Sequence, residues 1–231
     1  VALIVPIAYF IVRELNKSRL TSYLTLLVLV LAPALTRYGQ EIRMYALATL
    51  LSSISTLLII KAYKKKGQYL LWFLYGFISA LGMYTHNFYA LTIISQLITL
   101  IFIDYVDNRQ SLRKSIISVA KKREIRFGYL TLFIVYLPWI PFLLRQAFII
   151  QSGFWIKDVN LFSIPYTLLL WFIYILDKKL IIIISFVFLL ISAALISKLK
   201  QYLKAYIFKK DSFAQVLILS LAFLPSLILF I

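Results

Sequence analysis

Three short stretches of this 231-residue chain gather the side chains able to do chemistry. The first, Ala34-Leu-Thr-Arg-Tyr-Gly-Gln-Glu-Ile-Arg-Met-Tyr-Ala46, packs two arginines, a glutamate, a glutamine and two tyrosines between apolar runs. If it is helical from Arg37, Arg37, Glu41 and Tyr45 share one face at i, i+4 spacing. Two readings fit. One is a surface Arg37–Glu41 pair with the tyrosines in an interfacial aromatic belt. The other is a site in which Glu41 and Arg43 act while Arg37, Gln40 and Tyr45 contact substrate. The second stretch, Met83-Tyr-Thr-His-Asn-Phe-Tyr89, holds the one histidine of the chain, His86, beside Asn87, with no acidic neighbour in sequence. A lone histidine is more often a hydrogen-bonded structural group than a base or ligand.

The third stretch is Tyr136-Leu-Pro-Trp-Ile-Pro-Phe-Leu-Leu-Arg-Gln146, followed by Gln151-Ser-Gly-Phe-Trp-Ile156. Pro138 and Pro141 kink or end a helix, after which Arg145 emerges at the surface. One reading is a proline-bent span with an aromatic anchor. The other is a lipid-phosphate site: arginine offers phosphate a fork of donors, while Phe154 and Trp155 lie against acyl or isoprenoid chains.

Other chemistries are narrowed by composition. With no cysteine there are no disulfides and no thiolate metal sites. Hard cations prefer several oxygen ligands, so Glu41 alone makes a poor metal site, although a divalent cation stays open as a cofactor. The net charge of +17 raises nucleic acid as a partner. The lysines and arginines, however, sit in short segments between apolar runs, where membrane topology explains them better and no nucleic acid is needed.

The elements that must position these residues are membrane spans. Hydrophobic residues make up 63% of the chain and charged residues 14%. About 20 apolar residues cross roughly 30 Å of hydrocarbon as a helix, and no strand alternation suited to a barrel is present. The expected fold is therefore all-α, a single polytopic transmembrane domain over residues 1–231 with about eight spans. They run near Val1 to Val12, Leu20 to Thr36, Met44 to Ile60, Tyr69 to Tyr84, Phe88 to Ile103, Phe127 to Leu144, Leu180 to Ile196 and Ala214 to Ile231. Basic residues cluster in alternate loops: Arg13, Lys17 and Arg19; Lys61 and Lys64 to Lys66; and Arg109 to Arg126. The positive-inside rule makes these cytoplasmic, so the three polar stretches face outward across the cytoplasmic membrane. If Leu161 to Leu176 crossed, Lys198, Lys200, Lys204, Lys209 and Lys210 would lie outside. It is therefore expected to be an outer interfacial or re-entrant helix. Asp104 to Arg126 reads as a soluble stretch whose Leu112, Ile116, Ile117 and Val119 make an amphipathic helix on an anionic membrane surface.

Taken in order, Tyr38-Gly-Gln-Glu-Ile-Arg-Met-Tyr-Ala-Leu47, Tyr84-Thr-His-Asn-Phe88, Leu137-Pro-Trp-Ile-Pro-Phe-Leu-Leu-Arg-Gln146 and Gly153-Phe-Trp-Ile156 resemble the bacterial and archaeal membrane glycosyltransferases of family 39. These are relatives of the protein O-mannosyltransferases and of the aminoarabinose transferases that modify lipid A. The resemblance covers most of the chain. It implies a C-type glycosyltransferase fold that moves a hexosyl or pentosyl group from a polyprenyl-phosphate-linked sugar to an outer-face acceptor, which is a protein, lipid or glycan. By position, Glu41 and Arg43 match the family's second polar loop and His86 its membrane-edge histidine. The family's first outer loop, which normally bears an acidic general base, has no counterpart after Val1, so the chain is expected to be part of a longer protein. Rival classes are a transporter or lipid flippase, expected to carry charged residues at mid-membrane, and a non-catalytic membrane subunit. No mid-span charge is evident, the polar residues clustering at outer span ends.

Overall fold

The structure, a computed structural model, describes residues 2–15, 19–31, 40, 44–65 and 67–150. Among them every regular element is helical: α1 (Ile4–Leu15), α2 (Arg19–Leu31), α3 (Tyr45–Lys64), α4 (Tyr69–Thr85), α5 (Tyr89–Asn108), α6 (Leu112–Lys121), α7 (Arg123–Tyr136), a 3-10 turn (Leu137–Trp139) and α8 (Ile140–Ile150). Among the described residues three stretches are long and apolar enough to cross a membrane: Tyr45–Lys64, Tyr89–Asn108 and Arg123–Gln146. The expected spans at Leu180 to Ile196 and Ala214 to Ile231, and the expected non-crossing segment Leu161 to Leu176, lie outside the described residues.

Several boundaries differ from the sequence reading. Within the described residues the first expected span is the 12-residue helix α1, which runs past Val12 to Leu15, and the second is the 13-residue helix α2. The span expected to stop at Ile103 runs on to Asn108, because Asp104 is not a solvated loop residue but a buried one. Pro138 and Pro141 do not end the last long described helix. The backbone tightens to a 3-10 turn and resumes as α8. Just before the 3-10 turn, the Val135 carbonyl accepts a hydrogen bond of 2.8 Å from the Tyr84 hydroxyl. Such outside donors are what make proline tolerable in apolar helices.

Polarity runs inside out relative to a water-soluble bundle. Exposed faces carry Phe73, Phe77, Ile94, Leu130, Phe133 and Ile134, whereas Ser55, Ser79, Ser95, Gln96 and Thr99 are fully buried. In water the first set would be a large aggregation-prone surface; the arrangement is compatible with a membrane protein, whose outer faces meet lipid.

Packing is closest between α4 and α7, which run parallel. Tyr69 meets Phe127 near their starts, and Tyr84 meets Tyr136 near their ends. Gly76 and Gly128 let the backbones touch: a Cβ on Gly76 would lie 2.1 Å from the Gly128 carbonyl oxygen. The α3–α4 turn closes through Gly67 at φ 77°, a left-handed conformation that glycine adopts without strain. An apolar core of Ile59, Ile60, Trp72, Leu100, Ile103 and Ile125 fills the bundle toward the ends rich in lysine and arginine. Here Lys64 also ties α3 to Glu14 of α1. At the opposite end α3 begins, and α4 turns into α5 at His86.

Candidate functional site

The α4–α5 reversal is built around His86. Its backbone is extended, at φ −160° and ψ 128°, and its N–H bonds to the Gly82 carbonyl at 3.1 Å, closing α4. Its own carbonyl accepts the Tyr89 N–H at 2.9 Å, opening α5. The side chain folds back so that Nδ1 accepts the Phe88 N–H at 3.1 Å. With Nδ1 used as an acceptor, Nε2 is the ring nitrogen left to donate. The imidazole is half-buried between Phe88, with ring centroids 5.1 Å apart, and Tyr45 of α3, 5.8 Å away. His86 is therefore a hinge pin in the first instance, and it presents a single N–H donor.

Asn87, exposed at the same turn, donates from Nδ2 to Gln146 Oε1 at 3.5 Å, which joins the hairpin to α8. Arg145, the residue before Gln146, is exposed and has no ion-pair partner among the described residues. Tyr84 packs edge-on to Tyr136 and to Trp139, and Trp139 leans on Phe142, so an aromatic wall rises beside the hairpin. Of the residues singled out from sequence, the structure thus brings together Tyr45, His86 and Asn87 and sets Arg145 next to their contact on α8. Gln40 is exposed, and Arg37, Glu41, Arg43 and Trp155 lie outside the described residues. What this end offers is hydrogen-bond donors, namely an imidazole N–H, an amide and a guanidinium, a set suited to an anionic oxygen group. Among the described residues no three His, Cys, Asp or Glu side chains stand together as a metal site would require.

Two buried constellations escaped the sequence reading. The first corrects the statement that polar residues cluster at the outer span ends. At mid-span, Gln96 of α5 donates from Nε2 to Ser55 Oγ at 3.1 Å and to Thr56 Oγ1 at 3.2 Å, and its Oε1 accepts the Tyr75 hydroxyl at 3.0 Å. Since the single Tyr75 proton goes to Gln96, the 3.3 Å contact between the Tyr75 and Tyr129 hydroxyls is donated by Tyr129. Ser55 also accepts Tyr89 Oη at 2.9 Å and donates to the Ser52 carbonyl at 3.0 Å. The network therefore stitches α3, α4, α5 and α7 without any charged group. The Ser52-Ser-Ile-Ser-Thr56 run and Gln96 were its only sequence signal.

Interhelical bonds in apolar surroundings average about 0.6 kcal/mol and reach about 1.7. Gln96→Leu loses three of them and leaves Ser55 and Thr56 facing a methyl group. It should cost about 1–3 kcal/mol, read as a lower melting temperature in detergent with unchanged helix content. A melting temperature equal to wild type would mean that the amide carries no packing energy.

The second constellation is Asp104, 2% exposed at the basic end of α5, which accepts from Gln110, Ser118 and Lys122. Expected as part of a soluble stretch, Asp104 instead anchors that stretch to the bundle. Compared with protein-family models, with curated proteins and with solved structures, the chain matches none of them.

Proposed function

We propose that the chain is a polytopic protein of the cytoplasmic membrane, with about eight spans and one outer interfacial segment, that transfers a sugar from a polyprenyl-phosphate donor to an acceptor on the outer face. The observation that carries this reading is the meeting of three separate segments at the His86 end: the start of α3 through Tyr45, the α4–α5 turn through His86 and Asn87, and α8 through Gln146. Arg145 stands beside that junction, and exposed Phe142, Leu144 and Phe148 offer apolar surface next to it. A polyprenyl phosphate needs both an anion site and a lipid-facing flank.

The sugar's anomeric carbon is bonded to a phosphate oxygen. Transfer breaks that bond, forms one to the acceptor oxygen, and requires the acceptor hydroxyl to lose its proton while the departing phosphate gains stabilisation. In this reading Arg43 and Arg145 serve the phosphate. Glu41 orients Arg43 or the acceptor, and Arg37, Gln40, Tyr45, His86, Asn87 and Trp155 contact the substrate.

A transporter is the second reading, favoured by the buried network around Gln96. The described members of that network are uncharged and bonded mainly to one another, which suits packing better than ion passage. The test is reconstitution of the full-length protein with a radiolabelled polyprenyl-phosphate sugar and membrane acceptors. Label should move to acceptor with wild-type protein. Arg145→Ala should lower donor use about tenfold or more, the scale of a lost charge-assisted hydrogen bond, whereas Lys65→Ala at the basic end should be neutral. Equal rates for the two variants would remove Arg145 from the site, and absence of transfer by wild type would leave the transporter or a non-catalytic subunit.

A further inference from the structure

We propose that α6 is a bilayer-surface element that binds anionic lipid headgroups at the basic end of the bundle, Arg113, Lys114 and Lys121 reaching phosphates while Leu112, Ile116 and Ile117 sit in the outermost acyl layer. The proposal needs the bilayer but not sugar transfer.

The segment is built to lie flat. After α5 the chain reverses at Arg109, whose φ of 47° is the left-handed conformation of a helix stop. The reversal brings Gln110 Nε2 within 2.6 Å of Asp104 Oδ2. Ser111 then caps α6 by accepting the Lys114 N–H at 3.4 Å. Further along, Ser118 Oγ and Lys122 Nζ reach Asp104 Oδ1 at 3.1 Å and 2.8 Å. Donors from before α6, from its second half and from just beyond it thus converge on one buried carboxylate near the end of a membrane-length helix. A carboxylate there is tolerable only because three donors satisfy it. In consequence α6 cannot swing away from the surface at which α5 ends.

One face of α6, Ser115 and Val119, is buried against the bundle. The sequence reading placed Val119 with Leu112, Ile116 and Ile117; the structure separates them. At 100° per residue, Leu112, Ile116 and Ile117 fall on an arc that leaves the bundle, 56%, 47% and 44% exposed. Arg113 falls within that arc, between Ile116 and Ile117, and Lys121 and Lys114 follow just past Ile117, all three exposed. Exposed Tyr105 of α5 and Phe127 of α7 continue the apolar surface of the spans on either side. From Arg109 to Arg123 the chain has basic residues and no acidic one. An acidic protein partner would satisfy those charges but would not call for an aliphatic arc continuous with span surfaces. The headgroup layer of an anionic bilayer satisfies both.

These 231 residues contain no cysteine, so a single label placed within them has no competing thiol in this stretch. In full-length protein reconstituted into phosphatidylcholine–phosphatidylglycerol bilayers, a spin label at Ile116→Cys should be open to oxygen and shielded from a water-soluble nickel reagent. One at Lys121→Cys should show the reverse. Equal nickel access at the two positions overturns the proposal, whether α6 then faces water or protein. Second, spin-labelled phosphatidylglycerol should be retained in preference to phosphatidylcholine. The combined Arg113→Gln, Lys114→Gln and Lys121→Gln variant should lose roughly tenfold in that preference, each basic residue near an anionic surface contributing several-fold, while Lys65→Gln keeps it. These side chains are exposed, so the variants leave the core intact. No preference in wild type, or an unchanged preference in the triple variant, overturns the proposal.

Discussion

Gly76→Val should prevent α4 and α7 from closing on each other and leave the purified protein polydisperse, with a melting temperature far below wild type. The reason is backbone against backbone. A Cβ at position 76 would lie 2.1 Å from the Gly128 carbonyl oxygen and 3.0 Å from Thr131 Cβ, and neither is the movable tip of a long side chain. Accommodation requires α7 to shift outward by more than an ångström along the region where Tyr75, Tyr129 and Trp72 pack. That shift would also stretch the 3.3 Å bond between the Tyr75 and Tyr129 hydroxyls. Overpacking of a tight core costs about 1–3 kcal/mol where side chains can yield; here they cannot, so the loss should be at the top of that range or beyond. Gly67→Ala is the control: its site has φ 77° but nothing within 4 Å of the new Cβ, so only the roughly 1–2 kcal/mol of left-handed strain applies. If Gly76→Val melts no lower than Gly67→Ala, the close approach of the two helices is not what holds them.

That contact marks the limit of what the sequence disclosed. Apolar runs announce helices, because lipid leaves the backbone no other way to satisfy its polar groups, and Tyr69–Thr85 was read to within a residue for that reason. Charge then misled. Hydropathy closed a span at Ile103 since Asp104 follows, but three donors from the next segment neutralise the cost and the helix runs on. Periodicity misled in the same place: Val119 shares apolar character with Ile116 and Ile117 but faces the bundle, because the Asp104 bonds set the rotation of α6. Gly76 and Gly128, or Gln96 and Ser55, are far apart in the chain, and nothing in either local sequence names the other. At the His86 end, residue types suggested a donor-rich site. That the imidazole uses Nδ1 to hold its own turn, and therefore offers only Nε2–H, needed coordinates.

The largest expected effect on activity belongs to Glu41 and Arg43, on the proposal that residues 34–46 form a site rather than an anchor. A charge buried at a membrane edge would cost several kcal/mol unless paired, which motivates the proposal of a use for the two arginines and the glutamate. An interfacial anchor requires only basic and aromatic character. A phosphate site requires the planar fork of arginine, and a positioning carboxylate requires its charge. Conservative variants therefore separate the two: Arg43→Lys keeps charge but loses bidentate geometry, and Glu41→Gln keeps size and hydrogen bonding but loses charge. Loss of a donor to the departing phosphate removes roughly 2–4 kcal/mol of transition-state stabilisation, about 30- to 1000-fold in rate at 1.36 kcal/mol per decade. The measurement is sugar transfer by full-length protein, with melting temperature recorded on the same preparations. Arg43→Lys should fall within that range at an unchanged melting temperature, and Glu41→Gln should follow it. Parallel losses of stability and transfer would make Glu41 part of a structural ion pair, and near-normal transfer by both variants would return the segment to the role of an anchor.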